Sequence, residues 1–160
     1  MFNVTLITVG KCKEKFYIAA AEEYAKRLGA FCKFKLLELP ETRLPEDPCQ
    51  TEIQNGLAKE ADLIEAQIPK GAWFCVLTPE GKILSSEDLS QKIQQVKLSG
   101  KSSACFLIGS SFGIHSRIKA MADFRLSFGP MTFPHHLMRV MALEQLYRAE
   151  TIAAGTKYHK

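Results

Sequence analysis

Three short segments combine small, polar and ring-bearing residues in the way that ligand-binding loops do. They are residues 77–82 (LTPEGK), 109–113 (GSSFG) and 129–136 (GPMTFPHH), and each comes at the end of a short apolar run or directly after one. Small residues let the backbone approach a ligand closely, and a helix that starts after such a loop offers free N–H donors. For the middle segment taken alone, the pattern favours a tight strand-to-helix turn over a ligand loop.

These loops do not match the two common phosphate-binding patterns. Residues 109–113 lack the G-x-G-x-x-G spacing of a dinucleotide site and are not followed by the G-K-[ST] of a P-loop. After the first apolar run, residues 9–13 (VGKCK) contain one glycine where a dinucleotide fingerprint needs three. The sequence therefore argues against a nicotinamide-dependent oxidoreductase.

The last thirty residues are dense in ionisable and aromatic side chains. Apolar residues cover much of the circumference of a predicted helix over residues 134–154, which suggests that it packs against both a sheet and a second subunit. Within it, Glu144 and Arg148 have the spacing of a helical ion pair. Tyr158 and His159 follow at the very end, where they are either a frayed tail or residues placed over a site.

Apolar runs alternate with helical periodicities along the chain, which predicts an α/β fold with a mostly parallel sheet and helices on both faces. The predicted strands are residues 2–9, 32–39, 72–77, 103–108 and 124–128, and the predicted helices are residues 14–28, 51–67, 85–98, 115–122 and 134–154. Ser85 is predicted to cap the third helix and Thr132 the fifth. We expect a single domain over residues 1–160, with ligands bound at the carboxyl ends of the strands, where the three loops fall.

The composition is that of a soluble globular protein, with 46% hydrophobic and 24% charged residues. No apolar run approaches the ~18–20 residues that a membrane helix needs, so we expect a cytoplasmic protein without a membrane partner. The five cysteines form no C-x-x-C pair, and we expect them to be reduced and structural, with no metal site.

Charge is distributed unevenly around a net value of +4. Residues 41–67 carry seven acidic residues against two basic ones, and the rest of the chain has a net charge of +9. A basic bias confined to part of a molecule suits a polyanionic partner such as nucleic acid. A solvated, lysine-rich surface is the alternative.

Several segments together resemble the ribosomal RNA large subunit methyltransferase H family over essentially the whole chain. They are VGK (9–11), EGK (80–82), SSE (85–87), FLIG (106–109), LSF (126–128), MTFPH (131–135), EQLYRA (144–149) and the terminal YHK (158–160). The MTFPH and YHK segments are specific in combination.

The resemblance implies a SPOUT-type α/β fold with a C-terminal trefoil knot, a homodimer, and S-adenosylmethionine as cofactor. It further implies methylation of N3 of a pseudouridine in helix 69 of 23S rRNA, on the assembled 70S ribosome. The family's cofactor contacts fall on the three loops and carry over to Leu77, Gly109, Phe128, Gly129, Pro130, Met131, Thr132 and Phe133. The family usually has a second glycine where this chain has Ser110.

The chemistry of methyl transfer to N3 indicates which residues are candidates for catalysis. N3 of the base bears a proton that must leave, and a histidine or tyrosine near the methyl group could accept it. An arginine could hold phosphates or stabilise the developing anion. The candidate catalytic residues are His135, Arg139, Arg148, Tyr158 and His159. For His135 the alternative is a structural residue at the start of the last helix. His136 is expected to be structural, and His115 to lie on the surface.

A non-catalytic ribosome- or RNA-binding module of the same fold would share the basic surface. It would differ in having no affinity for S-adenosylmethionine and no methyl transfer.

Overall fold

In the computed structural model, which describes residues 1–160, five strands alternate with five helices. The strands are β1 (Asn3–Val9), β2 (Lys33–Leu39), β3 (Trp73–Ile83), β4 (Ser103–Ile108) and β5 (Phe124–Ser127). The helices are α1 (Lys15–Leu28), α2 (Gln50–Gln67), α3 (Ser86–Leu98), α4 (Ser116–Met121) and α5 (His135–Ala153). The predicted alternation is confirmed, and most element ends lie within one or two residues of the predicted ones.

The strands form one sheet in the order β2-β1-β4-β3-β5, and every neighbouring pair is parallel. Parallel pairs need crossover connections, which the intervening helices supply. All five carboxyl ends therefore lie at one edge of the sheet. The loops that follow β4, β3 and β5 are neighbours there because these three strands are adjacent.

Both faces of the sheet are buried, as predicted. On one face Leu6 and Phe106 pack among apolar residues of α1, α3 and α5. On the other face the next residues along the same strands, Ile7 and Leu107, pack against α2 and α4. Because side chains alternate across a strand, a sheet covered on both faces needs strands that are apolar throughout.

Two local predictions differ from the structure. β3 continues past Leu77 to Ile83, because the chain resumes its pairing with β5 at Lys82 after a register shift.

Thr132 does not cap α5, so that prediction is wrong. Pro134 itself occupies the N-cap position in extended conformation, without a side-chain cap, which leaves Thr132 two residues upstream of the position where a cap acts. Ser85 does cap α3, since its Oγ accepts from Asp88 N at 3.0 Å.

All five cysteines are free thiols, and only Cys49 is exposed. None of the helices has the length and apolar character that would let it cross a lipid bilayer.

The trefoil knot implied by the resemblance stays a prediction.

Core packing of α5 gives a stability prediction. Leu143 is fully buried between α5 and the sheet, so Leu143→Ala should lower the free energy of unfolding by about 2–5 kcal/mol through lost burial and the cavity left behind. Leu98→Ala is the control, because Leu98 is 88% exposed and its truncation should cost less than about 0.5 kcal/mol. Chemical denaturation followed by circular dichroism measures both values, and equal losses would contradict this account of the core.

Candidate functional site

The loops after β4 and β5, together with residues 77–80 in the irregular part of β3, enclose a cleft of about 500 Å³ at the carboxyl edge of the sheet. This volume lies within the usual range of small-molecule sites. Seven of the eight predicted cofactor residues line it, namely Leu77, Gly109, Phe128, Gly129, Met131, Thr132 and Phe133. The eighth, Pro130, is exposed and lies outside the lining. His135 also lines the cleft, at the first position of α5.

Two glycines shape the walls of the cleft. At Gly109 a Cβ would lie 2.5 Å from Gly113 O and from Ile114 Cγ1, so the loop can close on itself only without a side chain there. Gly129 has φ +111°, in the region that L-residues with a side chain rarely adopt. Both glycines line the cleft, so their backbone forms part of its wall.

Ser110 is tied to the rest of the protein by its hydroxyl. Its Oγ donates to Glu60 Oε1 at 2.8 Å, and the other carboxylate oxygen of Glu60 accepts from Thr42 N at 2.8 Å. Both Ser110 and Glu60 are buried. The loop after β4 is thus anchored to α2 through a buried carboxylate.

Sequence reasoning missed Glu60, which we counted only as part of the acidic segment 41–67. A signal was present, because Glu60 falls at helical spacing with Leu57 and Ile64 on the buried face of α2. A carboxylate on an apolar helix face predicts a buried hydrogen-bond partner.

Glu80 was predicted to lie in a ligand-binding loop but was given no role, and Lys119 was missed. The two form an ion pair in the lining of the cleft. Hydrogen bonds from Lys119 and from the Thr78 side chain lower the pKa of Glu80 to about 2. This wall therefore presents a paired rather than a free carboxylate at neutral pH.

The structure places Arg139 inside the protein rather than at the cleft. Its side chain is 4% exposed, and Nη1 donates to Glu38 Oε2 at 2.7 Å. Nη2 donates to Thr8 Oγ1 at 2.9 Å and to Gly10 O at 3.0 Å. These contacts fasten α5 to β1 and β2 one turn after His135, so Arg139 is a positioning residue in this conformation.

His135 packs where the end of β1 meets the start of α5. A Cβ at Gly10 would lie 3.3 Å from His135 Nε2 and 3.4 Å from Glu41 Oε2, which shows how closely the three groups approach. Glu41 in turn accepts from Ser111 N at 3.1 Å, across the loop after β4. The imidazole is thus half-buried at the mouth of the cleft, beside backbone from two loops.

The remaining candidates form a separate group, the tail cluster, around Glu144 on α5. Tyr158 Oη donates to Glu144 Oε1 at 3.0 Å, and Arg148 Nε donates to the same oxygen at 3.0 Å. His159 Nδ1 lies 3.1 Å from Arg148 Nη1, and its Nε2 lies 2.7 Å from Glu87 Oε1. The predicted Glu144–Arg148 pair is confirmed, and Tyr158 and His159 are held against α5 and α3 rather than frayed.

The tail cluster adjoins a second cavity, the groove, of about 410 Å³ between α1, α3 and α5. Glu144 lines the groove, together with Tyr24, Ile83 and Met141. Leu126 and Phe128 line both the groove and the cleft. Within one chain, the tail cluster and His135 therefore belong to different cavities that share a wall.

Burial, and then the nearby Glu144 carboxylate, raise the pKa of Tyr158 to about 12. At neutral pH its phenol stays protonated and acts as a hydrogen-bond donor. Of the candidates His135, Tyr158 and His159, Tyr158 is thus the least suited to accept a proton.

The Glu38–Arg139 pair generates a pH prediction. Burial raises the pKa of Glu38, but the hydrogen bonds from Arg139 and from Cys12 N outweigh it and bring the pKa below its ordinary value. A depressed folded-state pKa gives stability that is present above the unfolded pKa of about 4.3 and is lost as the pH falls through the folded-state value. The free energy of unfolding of the wild type should therefore exceed that of Glu38→Gln by a constant margin near neutrality, and the margin should narrow below about pH 4.

Urea denaturation across this pH range measures the margin. Glu22→Gln is the control, because Glu22 is exposed and forms no ion pair. A margin for Glu38→Gln that does not change with pH, or the same narrowing in Glu22→Gln, would contradict the assignment.

Comparison with known proteins shows which family the chain belongs to. Residues 2–159 match a family model described as "Predicted SPOUT methyltransferase". The chain is 44% identical to the ribosomal RNA large subunit methyltransferase H of Leuconostoc citreum and 43% identical to that of Streptococcus suis. Each alignment covers 99% of both chains.

Solved structures share the fold at low sequence identity. A tRNA (m1G37) methyltransferase from Aquifex aeolicus superimposes with a TM-score of 0.55 at 14% identity, over 98% of this chain and 73% of that one. A probable methylase family protein from Haemophilus influenzae gives a TM-score of 0.52 at 12% identity, over 99% of this chain and 70% of that one. With a family model and close relatives that span nearly the whole sequence, the chain belongs to the SPOUT methyltransferase family.

Proposed function

We propose that this protein methylates N3 of a pseudouridine in helix 69 of 23S rRNA, on the assembled 70S ribosome. As a SPOUT methyltransferase it uses S-adenosylmethionine, and the full-length relatives named above are methyltransferases of large-subunit ribosomal RNA. The observation that carries the proposal is the cleft, where seven of the eight predicted cofactor residues come together with His135.

The residues of the cleft fit this cofactor. Its walls combine apolar side chains such as Leu77 and Phe133 with the exposed backbone of the loops after β4 and β5. Because Gly109 has no side chain, the loop after β4 folds back against Gly113 and Ile114, and all three residues line the cleft. When bound, S-adenosylmethionine supplies an electrophilic methyl group on a sulfonium.

His135 is the side chain that we assign to the proton of N3. It lines the cleft, and its ring sits beside Gly10 at the end of β1. A neutral imidazole has one ring nitrogen with a free lone pair that can accept a proton, whereas the Tyr158 phenol already donates to Glu144. Tyr158, with its raised pKa, is assigned instead to hydrogen-bond donation, together with Arg148 and His159 in the tail cluster.

A homodimer would use the groove. From residue 135 to residue 152 α5 has no fully exposed residue, and its half-buried residues Val140 and Met141 line the groove. Ile83 on the groove wall is 64% exposed and Phe16 on α1 is 66% exposed. We assign this apolar face to a second copy of the chain, which would also bring a second tail cluster into the assembly.

The RNA would meet the loop after β1. Lys11 and Lys13 are exposed there, and the loop begins at Gly10, beside His135. Exposed lysines near a site bind phosphates through charge rather than sequence. Lysines at this position fit a substrate that is recognised through the shape of the ribosome. The reaction would take place in the cytoplasm.

The first experiment measures methyl transfer from labelled S-adenosylmethionine to ribosomes from cells that lack the endogenous enzyme. Isolated large subunits and free rRNA are assayed in parallel. We expect label in a pseudouridine of 23S rRNA, with assembled ribosomes as the best substrate. A folded protein that binds the cofactor without transfer would indicate another substrate, and absence of cofactor binding would favour the non-catalytic binding module.

The same assay tests His135. Removing a general base costs about 10²–10⁴-fold in rate, so His135→Gln should lower kcat within that range and leave the dissociation constant of S-adenosylmethionine within a few-fold of wild type. His115→Gln is the matched control, because His115 caps α4 outside the cleft lining. Wild-type kcat in His135→Gln would remove His135 from the mechanism.

The anchoring of Ser110 predicts an effect on cofactor binding. Ser110→Ala removes a donor to the buried Glu60, which costs about 1–3 kcal/mol and loosens the loop after β4. We expect weaker binding of S-adenosylmethionine by isothermal titration calorimetry. Ser111→Ala is the control, since Ser111 is exposed and its loop contact uses backbone N. Equal affinities in the two variants would contradict a role for the anchor.

The dimer is tested by light scattering after size-exclusion chromatography. The wild type should elute with a mass of about twice 17.9 kDa. Ile83→Glu places a charge on the exposed groove wall and should shift the protein towards the monomer, while Leu98→Glu, on the far end of α3, should not. A monomeric wild type would overturn the dimer.

A further inference from the structure

Three side chains with metal-ligating atoms meet beside the cleft without a role in the proposed reaction. They are Cys12 and Glu14, on the loop between β1 and α1, and His136, at the second position of α5. One ligand atom from each lies within 4.8 Å of the other two. Two residues near the start of the sequence and one near its end therefore lie close enough together to bind one ion.

The imidazole of His136 lacks a partner that its burial calls for. Its Nδ1 is buried and makes no hydrogen bond. A buried ring nitrogen without a partner costs free energy, and metal coordination is one way to satisfy it. Cys12 is 5% exposed, and its Sγ has only long contacts, at 3.7 Å to Glu14 Oε2 and 3.9 Å to Glu14 O.

The spacing fits tetrahedral zinc. Zinc–sulfur bonds of about 2.3 Å and zinc–oxygen bonds of about 2.1 Å place two tetrahedral ligands about 3.6 Å apart. The separation of Cys12 Sγ from Glu14 Oε2 is 3.7 Å. Small movements of the exposed Glu14 side chain and of the His136 ring would complete three ligands and leave one position for water.

The donor set favours Zn²⁺ over the hard cations. Sulfur and imidazole nitrogen suit zinc, whereas Mg²⁺ and Ca²⁺ take oxygen ligands. A thiolate and a carboxylate together neutralise a divalent ion, and the imidazole adds no charge. The neighbouring cation Arg139 is already paired with Glu38, so its charge is compensated.

We propose that Cys12, Glu14 and His136 form a zinc site that fastens the loop after β1 to the start of α5. Zinc there would tie the loop that begins at Gly10 to the helix turn that carries His135, next to the bond from Arg139 Nη2 to Gly10 O. From the sequence we expected no metal site, because the five cysteines form no C-x-x-C pair. Only one of the three ligands is a cysteine, and the histidine is supplied by a different part of the fold.

The test uses the full-length protein after chelator treatment and dialysis, with Zn²⁺ in calorimetry and Co²⁺ in absorption spectroscopy. We expect one equivalent of Zn²⁺ to bind, at least 100-fold more tightly than in Cys12→Ser or His136→Gln. The Co²⁺ form should show a thiolate-to-metal charge-transfer band that Cys12→Ser abolishes. Neither readout requires S-adenosylmethionine or ribosomes, so the result is independent of the proposed function.

Matched controls remove a cysteine and a histidine elsewhere. Cys49→Ser deletes the one exposed thiol, and His115→Gln deletes an imidazole on α4. Both should keep wild-type zinc affinity and the Co²⁺ band. Zinc should also raise the Tm of the wild type and of both controls, but not that of Cys12→Ser.

Circular dichroism establishes that each variant is folded before titration. If Cys12→Ser does not fold, His136→Gln carries the comparison, because its ring is only half-buried. Absence of a thiolate band in the wild type, equal zinc affinity in the ligand variants, or loss of the band in Cys49→Ser would overturn the proposal.

Discussion

One buried guanidinium determines how the last helix meets the sheet. Arg139 donates to Glu38 on β2, to Thr8 on β1 and to the carbonyl of Gly10, and its side chain is almost entirely enclosed. A charge in such a place is tolerated only when it is paired and hydrogen-bonded, so all three acceptors must be in position when α5 docks. The start of α5, with His135, is consequently held at the carboxyl edge of the sheet.

The cleft that results depends mainly on main-chain geometry. Its lining includes glycines, two prolines and small side chains, while other groups hold these segments in place. Glu60 holds the loop after β4, and Lys119 pairs with Glu80 in the irregular part of β3. The residues that line the cleft are thus held in place by a second set of residues. A site held in this way loses less conformational entropy when a ligand binds.

Periodicity allowed the elements to be predicted because helices and strands are specified by neighbouring residues. The predictions failed where two local signals conflicted. Pro79 and Gly81 are typical of a loop, yet β3 resumes its pairing beyond them, since β5 offers partners at Leu126 and Ser127. The cap expected from Thr132 failed because Pro134, which is well suited to the start of a helix, took the N-cap position itself.

The sequence by itself determined the α/β alternation and the loops that follow the strands, and with the family resemblance it indicated the residues of the cleft. These features depend on contiguous segments, and parallel strands bring the ends of such segments to one edge. Only the tertiary structure decided which polar side chains face solvent and which are enclosed. It buried Arg139 against Thr8, joined Ser110 to Glu60, and set His136 beside Cys12. Each of these pairs joins distant parts of the chain, and an arginine, a serine or a histidine is equally compatible with either environment until packing selects one.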